Sequence, residues 1–548
     1  MTGPAPAGAR DAASLALFAT LDLGSATTAA ALVGWVGGRW RLLAAASLPA
    51  GSDPDAILTL LCDRVRVADP GLAGTLGLAT GPVPAHLPRF VVRTARPPRI
   101  AVVAASEQTR EQLEAIAGRA GWLTTGASAA RHDPIEIVCR ATRAGIDALL
   151  VGTADPPEAD ERSLMEELVA AAGAVAVRRP GIPVILAGAL GRSAPVAAGT
   201  DVGVPAAGDV VLAPGPAAGD PAGSDLRTLL VDVRAGPDDG RRALARSAGS
   251  LARVLGRRVE VVDVGVSGAV RIVAAPDAST PAGVRLDDVD APVGALLALD
   301  GPGTIDRVEA WVTIGLDRAR LRDRLAELRL APWSDLAGDG APIRAAALRA
   351  ALERLLAAGD PLGGAVAPDV VVATGAFGAL PGPAVALVLA DVIRRAGATQ
   401  LGLDTARLLA PIGMIADDAA RDARVAELAE DILLPLGTVI VASGARPGRP
   451  AGRVTVDADG AAGEIDLEAG GLALVDLPPG QQALADLRFR STVELGTRGR
   501  HFLVPVAGGL AGLLVDLRDL PGGLPERPDR RRELLAGWER ALWPERSE

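Results

Sequence analysis

The chain contains no tyrosine, no lysine and no asparagine, so arginine supplies every basic side chain apart from three histidines. A Schiff-base lysine, a Walker A lysine and the asparagine of a kinase catalytic loop are therefore excluded. Any nucleotide site in this protein must hold phosphate groups without lysine.

Cysteine and histidine are almost as scarce. The two cysteines, Cys62 and Cys139, lie far apart in the sequence, and His86, His132 and His501 do not combine with them into a metal-ligand spacing. These residues therefore predict no Cys/His metal-binding motif, and we interpret the thiols as buried or incidental.

Positive charge is also in the minority. The net charge is -10 and the isoelectric point is near 5.1, which argues against a nucleic-acid partner because affinity for phosphate backbones depends on clustered positive charge. With 548 residues, of which 49% are hydrophobic, the chain is long enough to bury a core in each of several domains.

Long apolar runs are interrupted. The longest, residues 369–393, is divided by Pro381 and Pro383, so a strand, a loop and a helix are favoured over a membrane span. The first apolar run lacks a basic region in front of it, which predicts no signal peptide. We therefore expect a cytoplasmic protein that is not associated with membranes.

The N-terminal pattern predicts strands. Residues 15–48 contain three apolar runs separated by a Gly-Ser turn and by Gly37 and Gly38, which is typical of three antiparallel strands. A further strand is predicted at residues 74–80. The Pro- and Arg-rich residues 86–99 are predicted to be a connection at a domain boundary.

Apolar strands alternate with helical segments between residues 99 and 190. This alternation predicts a parallel sheet with helices on both faces, where ligands bind beyond the carboxyl ends of the strands. The segment VGTADPPE, residues 151–158, is the expected ligand position. The residues 199–223, rich in glycine, alanine and proline, are interpreted as a linker.

The segment DLGSATT near the N-terminus has the residue types of a phosphate-binding turn. Gly24 allows close backbone approach, the hydroxyls of Ser25, Thr27 and Thr28 can donate to phosphate, and Asp22 can hold a magnesium-bound water. The alternative is an ordinary bend between two core strands, in which Asp22 only closes the turn.

The same strand-Asp-x-Gly-strand theme returns in VEVVDVGVSGAVRIVAA, where Asp263, Gly265 and Ser267 occupy the turn. If two related halves each offer a hairpin to one ligand, the tips at Gly24 and Gly265 lie on opposite walls of one cleft. A third turn, in VVVATGAFGAL, places Gly375 at the rim of that cleft.

The C-terminal part changes in character. From Leu434 onward, short alternating runs predict a compact β domain, followed by a charged helix in which Trp538 and Trp543 are expected to anchor the helix to the core.

Three polar groups have competing interpretations. Asp417 and Asp418 could bind a metal, but a helix start is favoured. The arginines at residues 530–532 could bind an acidic partner, but a solvated helix face is favoured. His501 could face a phosphate, but a surface histidine is favoured.

The two Asp hairpins and the later glycine turn, in this order, resemble the phosphate, second phosphate and adenosine motifs of the actin-like, sugar-kinase and heat-shock-chaperone superfamily. The segments LLPLGTVIVASGARPGRPAGRV, VDLPPGQQALADLRFR and AGGLAGLLVDLRDLPGGLP are similar to the glutamate mutase L family. The similarity extends over nearly the whole chain and is most specific over residues 311–543.

This resemblance implies a two-lobed, actin-like (ribonuclease H-like) α/β ATPase fold with an inserted parallel α/β domain. The implied domains are a first lobe (residues 1–97), an inserted domain (98–198), a linker with helices (199–257), a second lobe with the adenosine-type motif (258–433), and a C-terminal β domain with a terminal helix (434–548).

The implied function is that of an accessory protein that binds ATP and magnesium and reactivates or assembles an adenosylcobalamin-dependent carbon-skeleton mutase. The implied nucleotide-binding residues are Asp22, Gly24, Ser25, Thr27, Thr28, Asp263, Gly265, Ser267, Thr374, Gly375 and Ala376, with Asp22 holding magnesium through water. A scaffold that has lost its nucleotide is the alternative, and a small-molecule kinase is a third candidate.

Departures from the family pattern predict weak or absent ATP hydrolysis. Ala29 follows the threonines where the family has lysine, and Val266 replaces a flexible glycine, where a β-branched side chain would disfavour positive φ. Beside Gly375, Phe377 is expected to crowd an adenine base.

Overall fold

The computed structural model describes residues 16–79, 83–84, 86–94, 97–192, 210–216, 223–234, 239–291, 303–332, 334, 338, 340–358, 367–393, 395–445, 448–458, 461–518 and 524–542. The chain forms two structural units. Unit 1 consists of Met1–Thr94, Asp238–Asp288 and Val293–Glu548, and unit 2 consists of Ala95–Pro237 and Val289–Pro292.

The strands of the described residues are β1 (Leu17–Leu23), β2 (Thr27–Val36), β3 (Arg39–Pro49), β4 (Arg89–Arg93), β5 (Arg99–Ala104), β6 (Leu123–Ser128), β7 (Ala148–Gly152), β8 (Val184–Ala187), β9 (Val210–Ala213), β10 (Val259–Val264), β11 (Ala269–Pro276), β12 (Val284–Ala291), β13 (Val370–Gly375), β14 (Gly397–Leu403), β15 (Leu434–Val441), β16 (Pro450–Ala458), β17 (Ala461–Glu468), β18 (Leu472–Val475), β19 (Gln482–Leu495), β20 (Thr497–Ala507) and β21 (Leu513–Asp516).

The helices of the described residues are α1 (Pro54–Ala68), α2 (Pro70–Thr75), α3 (Glu107–Arg119), α4 (Pro134–Ala141), α5 (Ala159–Arg178), α6 (Ala189–Arg192), α7 (Ser224–Arg234), α8 (Gly240–Leu255), α9 (Thr304–Trp311), α10 (Arg318–Leu330), α11 (Gly340–Ala358), α12 (Gly382–Val392), α13 (Leu409–Ile412), α14 (Asp418–Ile432) and α15 (Pro528–Leu542), and Ala376–Ala379 form a 3₁₀ turn.

The first sheet of unit 1 has the order β3-β2-β1-β4. The three antiparallel strands predicted from residues 15–48 are confirmed, and Gly37 and Gly38 form their second turn with φ of +62° and +85°. Strand β1 is buried on both faces: Leu21 packs with α1 on one face, and Phe18 packs with α8 on the other. Burial on both faces explains its nearly continuous apolar sequence.

For the next segment one prediction is wrong and a second is right only in part. The strand predicted at residues 74–80 does not form over residues 74–79, and residue 80 lies outside the described residues. Asp69 accepts a hydrogen bond from the Leu72 amide and Pro70 occupies the first turn, so Gly74 and Thr75 complete helix α2. The predicted connection at residues 86–99 contains strand β4, which pairs in parallel with β1, whereas the predicted domain boundary is confirmed, since unit 1 ends at Thr94 and unit 2 begins at Ala95.

The predicted internal repeat is confirmed by strand register. Leu23 pairs with Thr28 across the first hairpin, and Val264 pairs with Ala269 across the second. In each case a later strand pairs in parallel with the first strand of the hairpin: β4 with β1, and β13 with β10. Unit 1 therefore contains two sheets built on the same plan.

Helices α8, α13 and α14 pack against both of these sheets. Their apolar residues share one buried cluster with Phe18 and Val33 of the first sheet and with Val261 and Ile272 of the second. Polar contacts join the same elements, because the backbone amide of Leu42 in β3 donates to Asp431 of α14. The two halves of unit 1 are therefore one packed body.

The second sheet is larger than its repeat, with the order β12-β11-β10-β13-β14-β15-β21-β18. Residues 434–548 were expected to form a β domain of their own, but β15, β18 and β21 extend this sheet. Strands β16, β17, β19 and β20 form a separate antiparallel sheet, and both sheets share a core that includes Ile440 and Leu487. The apolar side chains of β15 require this shared core for burial.

The terminal helix α15 packs as predicted. Trp538 is buried, and its ring lies 4.4 Å from the guanidinium carbon of Arg518. Trp543, the second predicted anchor, lies outside the described residues.

Unit 2 has a five-stranded parallel sheet with the order β6-β5-β7-β8-β9. The predicted alternation of strands and helices is confirmed, with helices packed on both faces. Strand β6 and strand β9, which lies inside the predicted linker at residues 199–223, are not predicted by the sequence pattern. Residues 199–209 and 217–222 of that linker lie outside the described residues. Overall, the chain is a mixed α/β protein with parallel and antiparallel sheets.

Candidate functional site

The two Asp-containing hairpins of unit 1 end in matching turns that touch each other. The Gly24 amide donates to the carbonyl of Thr27 at 2.9 Å, and the Gly265 amide donates to the carbonyl of Gly268 at 2.8 Å. The hydroxyl oxygens of Ser25 and Ser267 lie 2.8 Å apart. The geometry therefore brings the two predicted turns together, but with their tips in direct contact and not on opposite walls of an open cleft as predicted. We call this contact, together with Asp22 and Arg407 beneath it, the cleft.

Below the tips, Asp22 is bound by an arginine that the sequence analysis did not identify. Oδ2 of Asp22 accepts a hydrogen bond from Nη1 of Arg407 at 2.9 Å. Asp22 is only 9% exposed, and its Oδ1 is buried without a hydrogen-bond partner among the described residues. A β-carbon at Gly24 would lie 3.7 Å from the same Nη1, so Arg407 lies directly beneath the first turn.

The loop after β14 determines where Arg407 points. Both carboxylate oxygens of Asp404 accept backbone hydrogen bonds, from Leu408 at 2.9 Å and from Leu409 at 3.0 Å, and these bonds begin α13. Among the described residues, Arg407 is the only non-glycine residue with positive φ, at 53°. This conformation costs about 1–2 kcal/mol, and the ion pair with Asp22 offsets that cost.

Three carboxylates surround the single guanidinium of Arg407. Burial tends to lower its pKa, but the charges of Asp22 and Asp263, together with Asp404, outweigh burial and raise it. The opposite balance holds at Asp404, which is 2% exposed: burial raises its pKa to about 6, although the two backbone hydrogen bonds and Arg407 favour its ionised form. Arg407 therefore stays charged, and the acids from both halves of unit 1 share its charge.

The predicted adenosine-type turn packs against the second hairpin. Strand pairing sets Thr374 beside Asp263 and Gly375 beside Val264. Gly375 has φ of +75°, and a β-carbon there would overlap Oδ1 of Asp263 and lie 2.7 Å from the Val264 carbonyl oxygen. Glycine is therefore required at this position. Ala376 follows and begins the 3₁₀ turn.

Two expectations about this region are wrong. Phe377 is fully buried, at 0% exposed, so it cannot crowd a base in the cleft. Neither Gly265 nor Val266 adopts positive φ, so the β-branched side chain of Val266 causes no backbone strain. The turn closes through the bond between Gly265 and Gly268, which a valine in between can accommodate.

The predicted hydroxyl donors differ in access. Ser25 is exposed, and Thr27 and Ser267 are half-buried. Thr28 is 3% exposed and pairs with Leu23 inside the first sheet. The side chains of Ser25 and Ser267 are therefore better placed to meet a ligand than the side chain of Thr28.

A magnesium ion at Asp22 does not fit this arrangement. Within the described ranges there is no group of three His, Cys, Asp or Glu side chains that could hold a metal ion. Two unit charges 4 Å apart interact by about 4 kcal/mol near a protein surface, so a divalent ion beside Arg407 would be repelled by about 8 kcal/mol. The guanidinium already occupies the cation position next to Asp22.

The ligand position expected in unit 2 is filled by the chain itself. Glu161, which is 2% exposed, accepts hydrogen bonds from the hydroxyls of Ser106 and Thr109 at 2.9 and 2.6 Å and from the Ala154 amide at 3.0 Å. Ser106 caps the N-terminus of α3, where a phosphate would otherwise bind. The prediction of a ligand at residues 151–158 is therefore not supported, because a carboxylate occupies the anion position.

The remaining polar candidates behave as surface and helix-end residues. Asp417 caps α14 by accepting from the Ala420 amide at 2.7 Å, as predicted. His501 is an exposed residue whose Nε2 lies 2.8 Å from Oδ1 of Asp486. No helix in the part of the chain that the structure describes is long and apolar enough to cross a bilayer.

Comparisons with known proteins leave the family open. No family model and no curated protein matches the chain. Among solved structures, it is similar to the activator of the 2-hydroxyisocaproyl-CoA dehydratase from Clostridium difficile with bound ADPNP, with 12% identity, 76% of this chain and 97% of that chain covered, and a TM-score of 0.26. It is also similar to nucleotide-free acetone carboxylase, with 11% identity, 82% and 81% covered, and a TM-score of 0.27.

A third similar structure is an Aquifex aeolicus member of the Ppx/GppA family, with 10% identity, 66% of each chain covered, and a TM-score of 0.19. Likenesses at these TM-scores do not bear on function. The function is therefore argued from the geometry of the cleft.

Proposed function

We propose that this chain is a nucleotide-binding accessory protein with an actin-like, two-lobed fold, similar to glutamate mutase L, that assists an adenosylcobalamin-dependent carbon-skeleton mutase. The observation that carries the proposal is the contact between two hairpins of identical register. In each of them an aspartate precedes the turn, and Arg407 lies close to both aspartates.

The residues at this contact suit the phosphates of an adenine nucleotide. The hydroxyls of Ser25 and Ser267 can each donate to a phosphate oxygen once they separate. Gly24 and Gly265 carry no side chain that would block close approach of the backbone. Arg407 supplies the positive charge that lysine provides in other nucleotide sites. The turn at Gly375 adjoins the second hairpin, where it can contact the nucleoside.

A thermal-shift experiment tests nucleotide binding. ATP or ADP at millimolar concentration should raise the melting temperature, because a ligand that binds only the folded chain stabilises it, by about 2.7 kcal/mol at a hundredfold excess over Kd. The double variant Ser25→Ala/Ser267→Ala should reduce the shift. Ser279→Ala is the matched control, because Ser279 is an exposed serine whose hydroxyl bonds to Asp277 in a turn outside the cleft.

The absence of any shift with ATP or ADP, with and without Mg²⁺, would remove the nucleotide from the proposal. The partner is tested separately by pull-down with the subunits of a cobalamin-dependent mutase. Failure to recover a mutase subunit, with the nucleotide shift intact, would remove the partner and leave the nucleotide site.

A scaffold without nucleotide is the second candidate. It is favoured by two direct contacts at this point: Arg407 binds Asp22, and the hydroxyl of Ser25 contacts that of Ser267. This candidate predicts that calorimetry detects no adenine nucleotide while a mutase subunit is still recovered. Tight ATP binding would contradict it.

A further inference from the structure

A protein cation lies where the acids of the two hairpins converge. The ion pair between Arg407 and Asp22 joins the second half of unit 1 to the first, across 385 residues of sequence. The side chain of Arg407 is 21% exposed and that of Asp22 is 12% exposed. The loop that carries Arg407 is held by the two backbone hydrogen bonds to Asp404.

We propose that Arg407 is a resident cation that takes the place of a divalent metal ion at the floor of the cleft, so that an anionic ligand binds there without a divalent ion. This inference goes beyond the proposed function, and it rests on the ion-pair geometry and not on nucleotide binding.

The chemistry of the cluster supports this assignment. Oδ1 of Asp22 is buried without a hydrogen-bond partner among the described residues, so it is an oxygen that would accept a further cation or donor. Asp263 lies on the equivalent strand of the second half and acts electrostatically on Arg407. Carboxylate and hydroxyl oxygens are the ligands that hard divalent cations prefer.

The proposal predicts that removal of Arg407 opens a metal site. Binding of Mn²⁺, measured by the loss of the free-ion electron paramagnetic resonance signal, should be absent in the wild type at submillimolar Mn²⁺. In Arg407→Ala, one Mn²⁺ should bind at least about tenfold more tightly than in the wild type. Adding Asp22→Asn should abolish that site. Arg407→Gln keeps more of the side-chain volume and should also bind Mn²⁺.

Arg253→Ala is the matched control. Arg253 is 20% exposed and forms a bidentate ion pair with Asp422, with distances of 2.7 and 2.8 Å. The exposure of Arg253 thus matches that of Arg407, and its removal leaves Asp422, whose side chain is 28% exposed, without its arginine partner at a place outside the cleft, so it should create no comparable Mn²⁺ site. Circular dichroism shows whether each variant is folded.

Three outcomes would overturn the inference: a wild-type Mn²⁺ site that disappears in Asp22→Asn, a folded Arg407→Ala that binds no more Mn²⁺ than the wild type, or a control variant that binds as tightly as Arg407→Ala. If neither variant at Arg407 folds, the wild-type measurement decides.

A second arm separates this inference from the proposed function. The thermal shift with ATP should persist in EDTA. A shift that requires Mg²⁺ would overturn the inference and leave nucleotide binding intact. No shift under any condition would remove nucleotide binding, and the Mn²⁺ result would still decide the role of Arg407.

Discussion

Gly375 lies where the adenosine-type turn packs against the second hairpin, at a position that has no space for a side chain. The variant Gly375→Ala therefore tests how closely the two are packed. The residue has φ of +75° and ψ of -128°. Its position opposite Val264 in the β10–β13 pair leaves no room for a methyl group, which would overlap Oδ1 of Asp263 and lie 2.7 Å from the Val264 carbonyl oxygen.

The expected loss of stability has two parts. Holding alanine in a backbone region that glycine tolerates costs about 1–3 kcal/mol. Forcing a methyl group into a packed site costs about 1–3 kcal/mol more, because Val264 belongs to a central strand and its carbonyl cannot move freely. We therefore expect Gly375→Ala to lower the free energy of unfolding by about 4 kcal/mol.

Gly378→Ala is the matched control for this change. Gly378 lies in the same 3₁₀ turn, is exposed, and a β-carbon there would meet nothing within 4 Å among the described residues. Its substitution should change stability by less than about 0.5 kcal/mol. Urea unfolding followed by tryptophan fluorescence suits the comparison, because six of the seven tryptophans belong to the sequence of unit 1.

A double variant separates the two parts of the cost. In the Asp263→Ala background the carboxylate that the new methyl group would meet is gone, so Gly375→Ala should cost about 1–2 kcal/mol less than it does in the wild type. If Gly375→Ala and Gly378→Ala unfold within about 0.5 kcal/mol of each other, the close packing of the turn against the second hairpin is refuted.

Two further predictions concern buried carboxylates. Burial raises the pKa of Asp404 from 3.8 to about 6, so the folded chain binds this proton more tightly than the unfolded chain, and the stability of the wild type falls as the pH rises through this window. The free energy of unfolding of Asp404→Asn minus that of the wild type should therefore rise by about 2 kcal/mol from pH 4 to pH 7. An equal difference at both pH values would contradict this prediction. Glu161→Ala removes the acceptor of three hydrogen bonds and should destabilise unit 2 by about 3 kcal/mol, which would be measured as faster hydrogen exchange in α5. Glu166 is an exposed residue of the same helix, so Glu166→Ala should not change that exchange rate.

The elements that the sequence predicted well are those whose pattern is local. The hairpin of β1 and β2, its repeat in β10 and β11, and the alternating strands of unit 2 all follow from apolar runs and from turn residues a few positions apart. The errors occurred where a neighbour overrode the pattern. Strand β4 forms in a Pro- and Arg-rich segment because β1 offers it a pairing edge.

The candidate site was predicted only in part. The turns at Gly24, Gly265 and Gly375 could be identified because glycine and hydroxyl residues mark them in the sequence, and the structure brings them together, whereas their role in binding remains a proposal. Arg407 and Asp404 were missed. Their signal, an apolar strand followed by Asp-Thr-Ala-Arg, is too short to distinguish from an ordinary helix start.

The sequence by itself determined the repeated Asp hairpins, the alternation of strands and helices in unit 2 and the absence of any lysine that could hold phosphate, because residue types and short spacings set these properties. Only the tertiary structure decided that Arg407 holds Asp22, that Glu161 fills the anion position in unit 2, and that Phe377 is buried. These contacts depend on how helices and sheets pack, since packing brings together side chains as far as 385 residues apart, and no local pattern encodes that distance.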